Sequence, residues 1–202
     1  MPQISEHALL RPEIHTPRLT LRPLRPDDLA DCIRLYDDIG WNDPDHSAEE
    51  ATARRRSWLA WSVDNQRELA RLFQPPYGER AVVDRETGAF VGLVGLVPSL
   101  VPLGQLPSFG AVAGAPHQPE VGLFWAISPA RQHKGVATEA AGALMRHAFA
   151  TLCLARIVAT TEHDNLASAA VMRRIGMTVE TNPFPEPRYF QTMGWLDAGA
   201  RS

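Results

Sequence analysis

The chain is expected to be a mixed α/β protein. Strand-like and helix-like segments follow one another in the order strand, two helices, three strands, helix, strand, helix, two strands, a succession suited to a sheet covered by helices. Its 202 residues match the length of one ordinary core. Its hydrophobic share of 45% and charged share of 21% are those of a water-soluble globular chain, which excludes a disordered or fibrous design.

Each element has a local reason. Leu19-Thr20-Leu21-Arg22-Pro23-Leu24 alternates apolar and polar residues as a half-buried strand does. Pro26-Asp27-Asp28 supplies the acids of a helix start, and Leu29, Ile33 and Tyr36 follow at helical spacing. A second helix opens near Ser47-Ala48-Glu49-Glu50 and ends by Pro75-Pro76. Arg80 to Asp84 and Ala89 to Val97 read as two antiparallel strands joined by the polar turn Asp84-Arg85-Glu86-Thr87-Gly88. Glu120 to Ile127 is short, aromatic-rich and bounded by Pro119 and Pro129, as a buried strand would be. From Val136 to Leu152, Ala137, Ala141, Leu144, Met145, Ala148 and Leu152 form one apolar helical stripe. Arg156 to Thr161 is a further strand, and Asn165 to Ile175 a helix with Asn165 at the N-cap and Gly176 at C′. Met177 to Glu180 and Arg188 to Met193 complete the set as a pair of strands.

Charge narrows the function. Of 20 basic residues one is lysine, Lys134, and against 23 acids the formal charge is −3, which argues against a nucleic-acid or anionic-membrane surface. Cys32 and Cys153 belong to no paired motif, so neither a disulfide scaffold nor a metal site is expected. They read as small buried hydrophobes of a reducing, cytoplasmic compartment. Residues 1–13 lack the apolar run of a secretory signal. The uncharged stretch Ala89 to Pro119 is long enough to span a bilayer, but Pro98, Pro102, Pro107 and Pro116 and its five glycines forbid such a helix. A buried strand followed by a long apolar irregular loop is expected instead.

The chemistry concentrates between Pro129 and Val136, where a basic loop leads from a strand into a helix N-terminus. That terminus offers unpaired N–H groups and the positive end of the helix dipole, the combination that binds phosphate. Gly135 and Ala137 remove bulk where a diphosphate would approach, and Arg131, His133 and Lys134 add charge. The same pattern also fits a glycine loop that merely starts a helix. Neither GxGxxG nor GxxxxGK[ST] is present.

Gln132-His133-Lys134-Gly135-Val136-Ala137 resembles the (Gln/Arg)-x-x-Gly-x-(Gly/Ala) signature of the GNAT N-acetyltransferases. Thr16-Pro17-Arg18-Leu19-Thr20-Leu21-Arg22-Pro23-Leu24 and the helix Asn165 to Met177 are similar to segments of the RimJ/RimL-like branch, so the resemblance runs from Thr16 to Gly194. Met177 replaces the usual aromatic, and the Pro98 to Pro119 insert is outside the common pattern.

This resemblance implies the GNAT fold: a single central, mostly antiparallel sheet, with a splayed parallel pair, Glu120 to Ile127 and Arg156 to Thr161, forming an acetyl-CoA cleft, and helices on both faces. It implies a domain over 16–195, a flexible arm over 1–15 and a tail over 196–202. Acetyl-CoA would pair its pantetheine arm with Trp125, Ala126 and Ile127 and its diphosphate with Gln132, His133, Lys134, Gly135, Val136, Ala137 and Thr138. Asn165 and Ser168 would approach the thioester end.

The implied activity is direct transfer of an acetyl group, in a ternary complex, to a primary amine, either a protein or peptide N-terminal α-amine or a small amine. Glu120 is the candidate base, Ser168 the candidate proton donor or water-positioning group, and Tyr189 a second candidate acid. Each has a bland alternative: a strand-end carboxylate, a small residue permitting close contact, and packing. His163, Arg173 and Arg174 read chiefly as surface residues. The expected state is a monomer or homodimer with no metal. The rival reading is a non-catalytic GNAT-like module that binds CoA or a partner; another acyl donor is a third.

Overall fold

The computed structural model describes residues 13–74 and 77–199. The chain forms two compact units. One comprises the chain up to Gly95 together with Phe124–Leu152, and the other comprises Leu96–Leu123 and the chain from Cys153 onward.

In the first unit the strand order is β1 (Ile14–His15), β2 (Leu19–Pro23), β3 (Gly78–Asp84), then the Phe90–Gly95 portion of β4 (Phe90–Val101) and the Phe124–Ile127 portion of β5 (Gln118–Ile127). β2 is antiparallel to both neighbours, with Leu21 opposite Ile14 on one side and Val82 on the other. The alternation read from the sequence holds: Leu19 and Leu21 are buried and Thr20 and Arg22 half-buried. Helix α1 (Leu29–Asp38) and helix α2 (Ala48–Arg71) supply Cys32, Leu35 and Leu59 to a core shared with Leu24, Ala81, Leu93 and Ala126. The Ser47 Oγ accepts from the Glu50 N–H at 3.2 Å while the Ser47 N–H donates to the Glu50 carboxylate at 2.9 Å, a capping box that explains why α2 begins there. The expected stop at Pro75-Pro76 lies outside the described residues; α2 ends at Arg71. Arg22 makes a two-pronged pair with the buried Asp28, at 2.8 and 2.7 Å, which ties the end of β2 to the start of α1. Helix α3 (Val136–Ala150) closes this unit, with Ala140, Ala141, Leu144, Met145 and Ala148 buried.

In the second unit the order is β4, β5, β6 (Arg156–Thr161), β8 (Thr192–Asp197) and β7 (Thr178–Thr181), with helix α4 (Leu166–Arg174) between β6 and β7. β5 and β6 are parallel neighbours, Gly122 opposite Val158. β8 is antiparallel to both β6 and β7. The fold class is therefore the one expected: mixed α/β, mostly antiparallel, with one parallel pair.

Four local features differ from the sequence reading. Residues 1–12 of the expected arm lie outside the described residues, while Ile14–His15 forms β1, a strand too short to carry a periodic signal. The last strand is Thr192–Asp197 rather than Arg188 to Met193, because Arg188–Phe190 makes a 3₁₀ turn after Pro187. The first part of the Pro98 to Pro119 segment, up to Phe109, is less irregular than its prolines suggest. β4 continues to Val101, two 3₁₀ turns follow, and Val101, Leu103 and Leu106 are buried against Val158, Phe190, Met193 and Trp195. The buried Asn182 and Gln105 side chains satisfy each other at 2.7 Å, so over 101–106 the missing charges mark a core, whereas most of 107–117 is exposed and irregular, as expected. Finally, Cys32 is buried and its thiol is pushed up to about 12 by burial, but Cys153 is exposed, held at φ 53 in the turn after α3. Among the described residues no helix is long and apolar enough to cross a membrane.

One pH response follows from the first unit. Burial, and then the nearby Arg80 guanidinium, lower the His147 imidazole below its ordinary value, and its Nε2 has no hydrogen-bond partner among the described residues. The unfolded chain takes up this proton near pH ~6.5 while the folded one resists it, so stability falls as pH drops through that value toward the lower folded one. Urea unfolding of wild type and His147→Gln across pH 7.5 to 5 should show a flatter profile for the variant; parallel profiles would contradict it.

Candidate functional site

After Ile127 the chain turns sharply before α3 begins. Pro129–Arg131 forms a 3₁₀ turn closed by the Arg131 N–H on Ser128 O at 2.8 Å, and Gln132 Nε2 donates back to Ile127 O at 3.0 Å. His133 and Gly135 both take left-handed φ, 58° and 76°, and Gly135 is the N-cap of α3. A glycine N-cap is the informative choice. It adopts the conformation without strain and brings no side-chain oxygen, and among the described residues no other side chain caps this terminus. The first-turn N–H groups of Val136, Ala137 and Thr138 therefore remain available to an anion, at the positive end of a 15-residue helix. His133, Lys134 and Gly135 are exposed, and Lys134 Nζ reaches back to Ala130 O at 2.9 Å. Upstream, Trp125 is half-buried, whereas Ala126 and Ile127 are buried.

A second set of residues grips this loop from the chain before β2. Glu139, in the first turn of α3, accepts the Thr16 hydroxyl at 2.6 Å, the Arg18 backbone N–H at 3.1 Å and the Arg18 guanidinium at 2.6 Å. Burial works against the charged carboxyl, but the bonds from Thr16 and Arg18 outweigh it and hold Glu139 below the usual carboxylate range. Arg18 Nη1 also donates to Lys134 O at 3.0 Å. Beside this contact lies a cavity of about 260 Å³ whose walls include Arg18, Arg85, Arg131 and Lys134, with Asp84 paired to Arg131 at 3.0 Å.

The second unit holds the remaining candidates on separate elements. Glu120, near the start of β5, is paired with Arg156 at 3.4 Å; Arg156 also holds Asp197 at 2.6 Å and lies over the Phe109 ring. The hydrogen bond to Asp197, more than the Glu120 charge, raises the Arg156 guanidinium further. Asn165 is the N-cap of α4, its side-chain oxygen accepting from the Ser168 N–H at 3.0 Å. Gly176, at φ 92°, ends that helix as expected. Tyr189 is half-exposed in the 3₁₀ turn and its hydroxyl donates to Leu100 O at 3.0 Å. His163 is exposed. Among the described residues no hydrogen bond or ion pair joins Glu120, Ser168 and Tyr189 to one another.

A glycine-capped, basic helix start thus follows a strand in a mixed α/β protein. The acetyltransferase (GNAT) domain family model matches residues 18–178, and the chain belongs to that family. The curated N-acetyltransferase YnaD of Bacillus subtilis, itself uncharacterized, is 42% identical over 64 residues, 32% of this chain and 36% of YnaD; the match thus spans about a third of that relative's length. The crystal structure of an acetyltransferase from Agrobacterium tumefaciens matches 92% of this chain and 94% of its own at 25% identity, with a TM-score of 0.63. The fold is also that of Mycobacterium smegmatis RimJ, solved in complex with CoA-disulfide: 20% identity, TM-score 0.59, covering 93% and 87% of the two chains.

Sequence reading did not single out Glu139, Arg18 and Arg156, whose contacts tie together the segments that carry the candidate residues. An acid in the first helical turn beside a basic loop is the signal that would have drawn attention to Glu139; for Arg156 there was none, because its partners are 36 and 41 residues away. Gly135→Val forces a β-branched residue into left-handed φ, so urea unfolding should show a loss of about 1–2 kcal/mol. Unchanged stability would mean that the loop accepts another conformation.

Proposed function

We propose that the protein is an acetyl-CoA-dependent N-acetyltransferase that acts on a primary amine, either a protein or peptide N-terminal α-amine or a small amine. The observation that supports this most is the glycine N-cap of α3, which leaves first-turn N–H groups open beside Lys134. A diphosphate fits those donors, and Gln132 through Thr138 are the residues that would hold it. Trp125, Ala126 and Ile127 would receive the pantetheine arm on their backbone, and Asn165 and Ser168 the thioester end.

Acetyl-CoA supplies the acetyl group already activated as a thioester, so the chain's own work is alignment and proton handling. In the proposed mechanism Glu120 accepts the proton that the acceptor ammonium must lose before attack. Arg156 keeps that carboxylate in place. Ser168 or the Tyr189 hydroxyl gives a proton to the departing thiolate and is reprotonated by the one that the attacking nitrogen sheds as the amide forms. The rival reading of a non-catalytic CoA-binding module predicts the same binding without turnover.

Thiol release with acetyl-CoA and a panel of N-terminal peptides, polyamines and aminoglycosides tests the proposal. The expected result is amine-dependent turnover, with Glu120→Gln lowering kcat on the order of a hundredfold while CoA binding is retained. Binding without turnover on any amine would favour the rival module; absence of CoA binding would overturn both readings.

A further inference from the structure

We infer that Glu139 is a positioning residue for the diphosphate-binding loop, working through Arg18 on the Lys134–Gly135 peptide. The inference rests on the proposed CoA-binding role of that loop and adds what holds it in its binding shape.

Glu139 gathers three hydrogen bonds and an ion pair from the segment before β2, more than 120 residues away in sequence, and its side chain is 16% exposed. Through these bonds the first turn of α3 is fixed to the start of β2. Arg18 then extends the constraint by one step. With Nε and Nη2 held by Glu139, its Nη1 donates to the Lys134 carbonyl. A peptide unit is planar and trans, so its carbonyl and N–H point in opposite directions. Pinning the Lys134 oxygen on Arg18 therefore turns the Gly135 N–H to the opposite side and fixes the left-handed cap from which the free N–H groups of α3 follow. The Arg85 guanidinium supports the same segment, donating to Thr16 O at 2.7 Å.

The geometry separates this role from the obvious alternative, in which Arg18 is itself a phosphate ligand. The Arg18 charge is neutralised by Glu139 at 2.6 Å and its donors are directed at a carboxylate and a carbonyl. Were Arg18 a ligand, removal of the Glu139 charge would free it and tighten anion binding. Acting as a latch, the same change loosens the loop and weakens binding, because its ordering must then be supplied on association.

The test compares wild type and Glu139→Gln in three measurements: hydrogen exchange at the Gly135 to Thr138 amides of the free protein, affinity for CoA, and kcat/KM with acetyl-CoA against S-acetyl-pantetheine, which lacks the diphosphate. The expected results are faster exchange at those amides, a CoA Kd raised roughly tenfold or more, and a loss of selectivity for acetyl-CoA over the short donor carried by KM. Thr16→Val, which deletes one donor at nearly constant volume, should move in the same direction by less. Unchanged exchange at those amides, equal or tighter CoA binding by Glu139→Gln, or equal losses with both donors would overturn the inference. Failure of wild type to bind CoA would instead overturn the proposed function, and the exchange measurement on the free protein would still decide whether the latch exists.

Discussion

Every α-helix begins with N–H groups that its own turns do not satisfy, and most helices use a serine, threonine, aspartate or asparagine to satisfy some of them. This chain follows that rule twice, at Ser47 for α2 and Asn165 for α4. It departs from it at α3, where the cap is Gly135 in a left-handed conformation. The departure costs α3 a stabilising cap and keeps its positive end open. The stretch from Ile127 to Glu139 can be understood from that choice: Gln132 folds back on the strand end, and Thr16 and Arg18 hold the helix through Glu139.

Charge is used in the same manner elsewhere. The −3 total hides a local arrangement in which arginines serve mainly as structural ties: Arg22 to Asp28, Arg131 to Asp84, Arg18 to Glu139 and Arg156 to Asp197 and Glu120. Planar guanidinium groups suit such multi-pronged ties better than lysine does. Lys134 differs: it is exposed at the helix start, and among the described residues its Nζ bonds a carbonyl and pairs with no acid. For Glu120, the Arg156 pair means that a carboxylate with little exposure is held in one place before any substrate arrives.

Much of the fold was legible because it is written in local patterns. β2, α3 and β5 were read from alternation, an apolar stripe and a short aromatic-rich run, the start of α2 was placed near Ser47, and Asn165 was read as a cap. β1 was missed because two residues carry no period. The final strand was displaced because the proline-rich approach to it makes a 3₁₀ turn, which alternation does not distinguish from strand. The Pro98 to Pro119 segment was legible in part: its prolines and glycines marked the irregular, mostly exposed stretch 107–117 correctly, but over 101–106 the absence of charge signalled burial against Phe190, Met193 and Trp195, partners more than 60 residues away. The basic loop of the site was readable from Gln132 to Ala137. The ties that shape it were not, since Thr16, Arg18 and Glu139 meet only after folding and Arg156 finds Glu120 and Asp197 on neighbouring strands.

Amide chemical-shift mapping of the labelled protein titrated with CoA and, separately, with pantetheine tests the role of the open helix start most directly. CoA should move the Gly135, Val136, Ala137 and Thr138 amides strongly, in the direction of hydrogen bonding to an anion, and pantetheine should leave them nearly unmoved. CoA binding that shifts other amides while these four stay in place would contradict the account.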